Sequence, residues 1–129
     1  MRIDVSGDNA WLGAVSEVAE RFGPVDVAVL FAGAARIPGR FDGTLLTLDS
    51  AMAADVAAIL GASTVVPVHY TGWSHFTEGG DSLRAAFAGA GLADRLSLLD
   101  PGESAVVALA GTAGAGDAGE GAVSFGKKV

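Results

Sequence analysis

The sequence predicts an α/β fold in which strands and helices alternate, in the order β-α-β-α-β-α-β-β. Two runs, Val25–Ala32 (VDVAVLFA) and the Val65–Val68 core of STVVPVHY, are almost continuously apolar and β-branched, as parallel strands buried on both faces are. Between such runs, apolar residues recur at helical rather than strand spacing. Strands joined through helices are parallel and lie side by side in one sheet. Gly and Pro punctuate the boundaries.

Taken in order, Arg2–Ser6 is a short β-prone segment that ends in Ser6-Gly7-Asp8-Asn9. The next stretch sets Trp11, Leu12, Val15, Val18, Ala19 and Phe22 on one side and Ser16, Glu17, Glu20 and Arg21 on the other, which predicts an amphipathic helix stopped by Gly23-Pro24. Val25–Ala32 is a central strand. Residues 33–46 carry Pro38, Gly39 and Gly43 and are read as an irregular connector. Thr47, Asp49 or Ser50 is placed to cap a second helix, with Met52, Val56, Ile59 and Leu60 on its apolar side and Gly61 at its end. The strand ending at His69 follows. Gly80–Gly91 is a third helix through Leu83, Ala86, Phe87 and Ala90. Leu96–Leu99 and Ala105–Ala110 are short strands around an Asp100-Pro101-Gly102-Glu103 turn. Residues 1–110 form the domain; from Gly111 the chain turns Gly- and Ala-rich and is expected to be a flexible tail over 111–129. Three helices cover one sheet face, which leaves the other without an evident partner in this chain.

Composition limits the function. The 129 residues are 50% apolar and 18% charged, enough for one domain with a core. A net charge of −7, with the basic residues scattered, argues against nucleic acid, whose phosphates need clustered Lys and Arg. No apolar run approaches the roughly 20 residues of a membrane-spanning helix. No charged-then-apolar leader is read at the start, so a cytoplasmic location is expected. With no cysteine, disulfides and thiolate metal sites are excluded.

Chemistry concentrates in the loop after the third strand. Both histidines of the chain, His69 and His75, lie there, with Thr71, Gly72 and Trp73 between them. Sites in α/β proteins gather at the carboxyl ends of parallel strands. His69 stands at such an end, where a neutral imidazole serves as metal ligand or general base; the structural alternative is a histidine hydrogen-bonded at a strand end. Asp8 follows the first strand and would share that edge. Asp8 or Asn9 as a helix N-cap is the structural reading, and a carboxylate ligand or base is the functional one. Trp73 and His75 are the candidate substrate contacts, against half-exposed packing. Asp4 and Asp26 are read as strand-end or solvent-facing charges. Gly33-Ala34-Ala35 lacks the Gly-x-Gly-x-x-Gly spacing of a dinucleotide turn, and no Gly-x-Ser-x-Gly elbow occurs.

Ser6-Gly7-Asp8, the amphipathic helix, Val25-Asp26-Val27-Ala28-Val29-Leu30, Val65-Val66-Pro67-Val68-His69-Tyr70 and Asp100-Pro101-Gly102-Glu103 together resemble the second half of the metallo-β-lactamase superfamily fold, over residues 2–108 and nearest its lactonase-like and phospholipase-like hydrolases. The resemblance implies half of a four-layer αβ/βα sandwich. It implies that Asp8 bridges two metal ions, zinc or manganese, and that His69 completes the shell of the second. It further implies that metal-bound hydroxide attacks a lactone, ester or phosphodiester. The remaining ligands of that family come from a His-x-His-x-Asp-His loop and a further histidine in the first half, and this sequence has none of them. A catalytic zinc needs three protein ligands, and Asp8 and His69 are two.

Two functions are therefore expected to compete. One is a fragment or split half of a binuclear metal-dependent hydrolase, inactive without the missing half. The other is a non-enzymatic α/β binding module that keeps the fold and binds no metal. A receiver-like domain ranks below both, because no acidic pair and Lys stand at the strand ends. The uncovered sheet face leads to a further expectation, an isologous homodimer through that face or a complex with a separate first-half chain, burying more than about 1,000 Å².

Overall fold

Three short parallel strands, β1 (Ile3–Val5), β2 (Val27–Phe31) and β3 (Thr64–Val68), lie side by side in chain order at the centre of the molecule. This is a computed structural model, and it describes residues 1–107 and the backbone of 123–126. The register pairs Ile3 with Val27 and Val27 with Thr64, then Val5 with Val29 and Val29 with Val66. Since side chains alternate across a strand, one face carries Asp4, Ala28, Leu30 and Val65, and the other Ile3, Val5, Val27, Val29, Phe31, Val66 and Val68.

The first face receives the helices α1 (Leu12–Phe22), α2 (Ser50–Leu60) and α3 (Gly80–Gly89). Ala28, Leu30 and Val65 share one core with Val15 of α1, with Ala53, Val56, Ala57 and Leu60 of α2, and with Leu83 and Phe87 of α3. The α2 stripe is spaced i, i+3, i+4, i+7, and it faces inward between its two neighbours. Ile59, expected on that stripe, is exposed, because Ala53 and Ala57 take the buried positions. Trp11 and Phe22, expected on the buried side of α1, are also exposed at its two ends. Trp11 lies before the helix and folds its indole back over Gly13, where a Cβ would fall 2.5 Å from the ring. Phe22 lies under the Arg21 guanidinium instead, 5.6 Å from ring centroid to Cζ.

Helix ends follow the expected chemistry. Gly23 (φ 71°) closes α1 by donating its N–H to the Ala19 carbonyl, and Gly61 ends α2 in the left-handed region. Of the three candidate caps of α2, Asp49 is the one whose carboxylate accepts from Met52 N, at 2.8 Å. Residues 33–46 form the irregular connector, with a single 3-10 turn at Phe41–Gly43.

One expectation changes beyond α3. Leu96–Leu99 is not a strand: it makes one isolated parallel bridge, Val65 to Leu96, with Ser97 N donating to the Val65 carbonyl. Pro67 explains why the pairing goes no further. Val65 and Pro67 direct their backbone groups to that side of β3, and Pro67 has no N–H to give. The Asp100–Glu103 turn is present, with Glu103 N bonded to the Asp100 carbonyl at 2.9 Å. It leads into β4 (Ser104–Val107), which pairs antiparallel with β5 (Val123–Gly126). Strand β5 falls in the segment expected to be a flexible tail. The rest of that tail, and the expected continuation of β4 to Ala110, lie outside the described residues.

Among the described residues, the second sheet face is covered only in part. Val27 and Val66 are buried against Leu99 and Val107, with Ala105 beside them. Toward β1, Val5 is 61% and Ile3 41% exposed, and Val29, Phe31 and Val68 are partly buried. The expected open apolar face is present as a strip rather than a whole sheet. No helix among the described residues is long and apolar enough to cross a membrane.

Candidate functional site

Asp8 and His69 line one cavity of about 510 Å³ at the carboxyl ends of the strands, within the size range of small-molecule sites. Each reaches it by a specific local device. Ser6 extends the β1 ladder, its N–H bonding the Val29 carbonyl and its hydroxyl accepting from Phe31 N at 2.9 Å. Gly7 (φ 57°) then turns the chain out of the sheet and leaves Asp8 at its rim. Asp8 does not cap α1. Asn9 takes the local turn, its side-chain oxygen accepting from Trp11 N at 2.9 Å. The exposed Asp8 carboxylate makes no hydrogen bond among the described residues.

His69 ends β3 in the left-handed region, at φ 53°. That conformation costs a residue with a Cβ about 1–2 kcal/mol and is the kind of local strain that gathers at functional sites. Its ring makes no hydrogen bond among the described residues and stacks on Phe31, with centroids 4.2 Å apart. The turn is possible because Gly33 faces it. A Cβ on Gly33 would lie 2.1 Å from the His69 carbonyl oxygen and 2.9 Å from the Phe76 ring.

The loop after His69 is tied to the connector rather than hanging free. Arg36 N donates to the His75 carbonyl, Thr77 N and Glu78 N to the Gly33 carbonyl, and the Thr77 hydroxyl to the Ala34 carbonyl. Glu78 then reaches the start of α2, where its carboxylate accepts from Ser50 N at 2.7 Å. These bonds hold a row of rings along the cavity. His69 and Phe76 are 5.9 Å apart, Phe76 and His75 4.6 Å, and His75 and Trp73 5.6 Å, all tilted. Trp73 and His75, the candidate substrate contacts, thus line the same cavity as Asp8 and His69.

Ile37, Leu46, Thr47 and Phe76 also line the cavity and were not among the expected site residues. Thr47, weighed only as a helix cap, is buried and accepts from Ala35 N at 3.0 Å, fixing the connector where it becomes cavity wall. The polar pair Thr77-Glu78 just after the aromatic loop was the available sign that this loop is anchored. Asp26 is a strand-end group as expected, accepting from the Arg2 backbone N–H at 2.7 Å. Asp4 points to the helix-covered face rather than to solvent, and burial pushes its carboxyl above the ordinary range.

The donor set does not fit a metal ion by itself. No group of three or more His, Cys, Asp or Glu among the described residues is arranged to hold one, and His75 does not complete a triad with Asp8 and His69.

No family model matches the chain. A UPF0173 metal-dependent hydrolase of Methanosphaerula palustris is 36% identical over 81 residues, which are 63% of this chain and 32% of that protein. An isothiocyanate hydrolase from Delia radicum gut bacteria superposes with a TM-score of 0.64 at 19% identity, over 76% of this chain and 36% of its own. A possible metal-dependent hydrolase from Veillonella parvula gives 0.65 at 19% identity, over 77% and 37%. A metallo hydrolase from the hyperthermophilic archaeon Ignicoccus hospitalis gives 0.60 at 21% identity, over 97% and 42%. The chain thus spans about a third of the curated relative's length and comparable parts of the solved structures.

Proposed function

We infer, for a chain that has part of a metallohydrolase fold of the metallo-β-lactamase type, that it supplies one side of a metal-dependent hydrolase site and that the rest comes from a segment or chain outside residues 1–107. One observation carries the inference. Asp8 and His69 leave two different strands, β1 and β3, and line the same cavity, each without a hydrogen bond among the described residues. A carboxylate and an imidazole held ready in that way are what a shared ligand site needs from these two positions. The metal would be zinc or manganese, and the substrate an ester, lactone or phosphodiester. No chemical step is assigned to two donors alone.

The open strip of sheet favours a completing partner. Phe31 lies on the strip and stacks on His69, so whatever covers Ile3, Val5 and Val29 comes to rest beside the site. A second copy of this chain or a separate first-half chain fits that position. The non-enzymatic binding module remains the second reading, and the missing third donor is the observation in its favour.

Turnover measurements separate the two. The chain alone, with excess zinc or manganese, is expected to show negligible hydrolysis of ester, lactone and phosphodiester probes. A chimera joining this chain to the remaining part of the Methanosphaerula palustris relative is expected to hydrolyse at least one probe class and to lose that activity with Asp8→Asn or His69→Ala. A folded, metal-loaded chimera whose turnover ignores both substitutions would contradict the assignment.

A further inference from the structure

We propose that the cavity takes an uncharged substrate carrying a flat aromatic ring, with the ring against Trp73 and His75 and the reacting group toward Asp8 and His69. This rests on reading the cavity as a hydrolase site and adds the substrate class.

The argument starts from the row of rings. It runs from Phe31 through His69, Phe76 and His75 to Trp73, with successive centroids 4.2 to 5.9 Å apart. Those spacings are the ones at which aromatic rings attract one another, and the tilts are those that a π quadrupole favours over a face-to-face sandwich. Trp73 ends the row. It is 67% exposed although it is among the largest apolar side chains of the molecule, and its one ring contact among the described residues is His75. The next position in the row is open to the cavity and suits another ring. Ile37 and Leu46 supply apolar wall alongside.

Charge then narrows the ligand. Among the described residues that line the cavity there is no lysine or arginine, and the carboxylate of Asp8 is there. Arg36 is the basic residue of the connector that is bonded to the aromatic loop. Its backbone holds His75, while its guanidinium is engaged by the Gly43 carbonyl and stays out of the lining. The whole chain carries a net charge of −7, which also repels anions. A phosphodiester with charged flanking groups, or a carboxylated side arm, would bury a charge at the Trp73 end with no basic side chain among the described lining residues to meet it. An ester or lactone with an aryl group would bury none.

The test uses the full chain with Trp11→Phe, which leaves Trp73 as the sole tryptophan, and three probes without added metal. These are γ-phenyl-γ-butyrolactone (ring, no charge), γ-butyrolactone (neither) and diphenyl phosphate (rings and charge). Trp73 fluorescence and amide shifts of Thr47 and Phe76 report binding. The phenyl lactone is expected to bind about tenfold or more tighter than either comparator, and Trp73→Ala is expected to weaken it about tenfold while the amide spectrum stays that of the folded chain. Equal binding of the two lactones, preference for diphenyl phosphate, or indifference to Trp73→Ala would overturn the proposal. Because the readout needs neither metal nor turnover, such a failure is separable from failure of the hydrolase reading.

Discussion

At the scale of residues, the proposed site rests on two side chains that contribute little to the fold. Asp8 and His69 are exposed and lack hydrogen bonds among the described residues, so Asp8→Asn is expected to leave stability within about 0.5 kcal/mol in urea unfolding. His69 is different in its backbone. At φ 53° a Cβ is strained, so His69→Gly should be more stable than His69→Ala by about 1 kcal/mol, both variants having lost the ring contact with Phe31. Equal stabilities would mean that the turn relaxes when the imidazole is gone. Asp4 gives a pH signature. Burial raises its folded pKa above 3.8, so the folded state favours the protonated form, and stability present below that pH is lost as pH rises through the folded value. Asp4→Asn should therefore raise the unfolding midpoint at pH 7, and the gain should vanish near pH 3. Asp8 and His69 were legible in the sequence because each ends a β-prone run, and the ends of parallel strands converge. Thr47 was not, because its role lies in a bond to Ala35 that only the folded chain brings about.

At the scale of elements, the connector and the aromatic loop act as one unit. Glu78 fastens that unit to α2 through a charge-assisted bond at a helix N-terminus, where a carboxylate also meets the positive end of the helix dipole. Glu78→Gln should cost about 1 kcal/mol and loosen the His75–Phe76 segment, seen as faster amide exchange at Thr77 than in the wild type. Unchanged exchange would show that the bonds to the Gly33 and Ala34 carbonyls hold the loop alone. The helices and central strands were readable because periodicity and continuous apolar runs report burial directly. Strand pairing beyond β3 was not. Leu96–Leu99 looks apolar enough for a strand, yet Pro67 denies it a partner N–H. Strand β5 is only four residues long, Val123-Ser124-Phe125-Gly126, and its short β-prone run is lost within a Gly- and Ala-rich stretch.

At the scale of the whole molecule, the sheet face and the site ask for the same thing. A strip holding Ile3, Val5, Val29 and Phe31 is open or half-open, and the two proposed ligands at its end have no third donor beside them among the described residues. Covering apolar surface returns about 25 cal/mol per Å², so a partner on that strip is expected to be stable once it buries more than about 1,000 Å² in total. Sedimentation at low micromolar concentration should give twice the chain mass if a second copy is the partner; a monomer that dimerises only in the millimolar range would assign the strip to a separate chain or to residues outside those described. The central claim, that Asp8 and His69 are two ligands of a site completed from elsewhere, is tested most directly by the metal content of the chimera with the rest of the Methanosphaerula palustris relative. About two ions per folded molecule are expected, with none retained above background by this chain alone and at least one lost in each of Asp8→Asn and His69→Ala. Full metal content in both variants would contradict the claim.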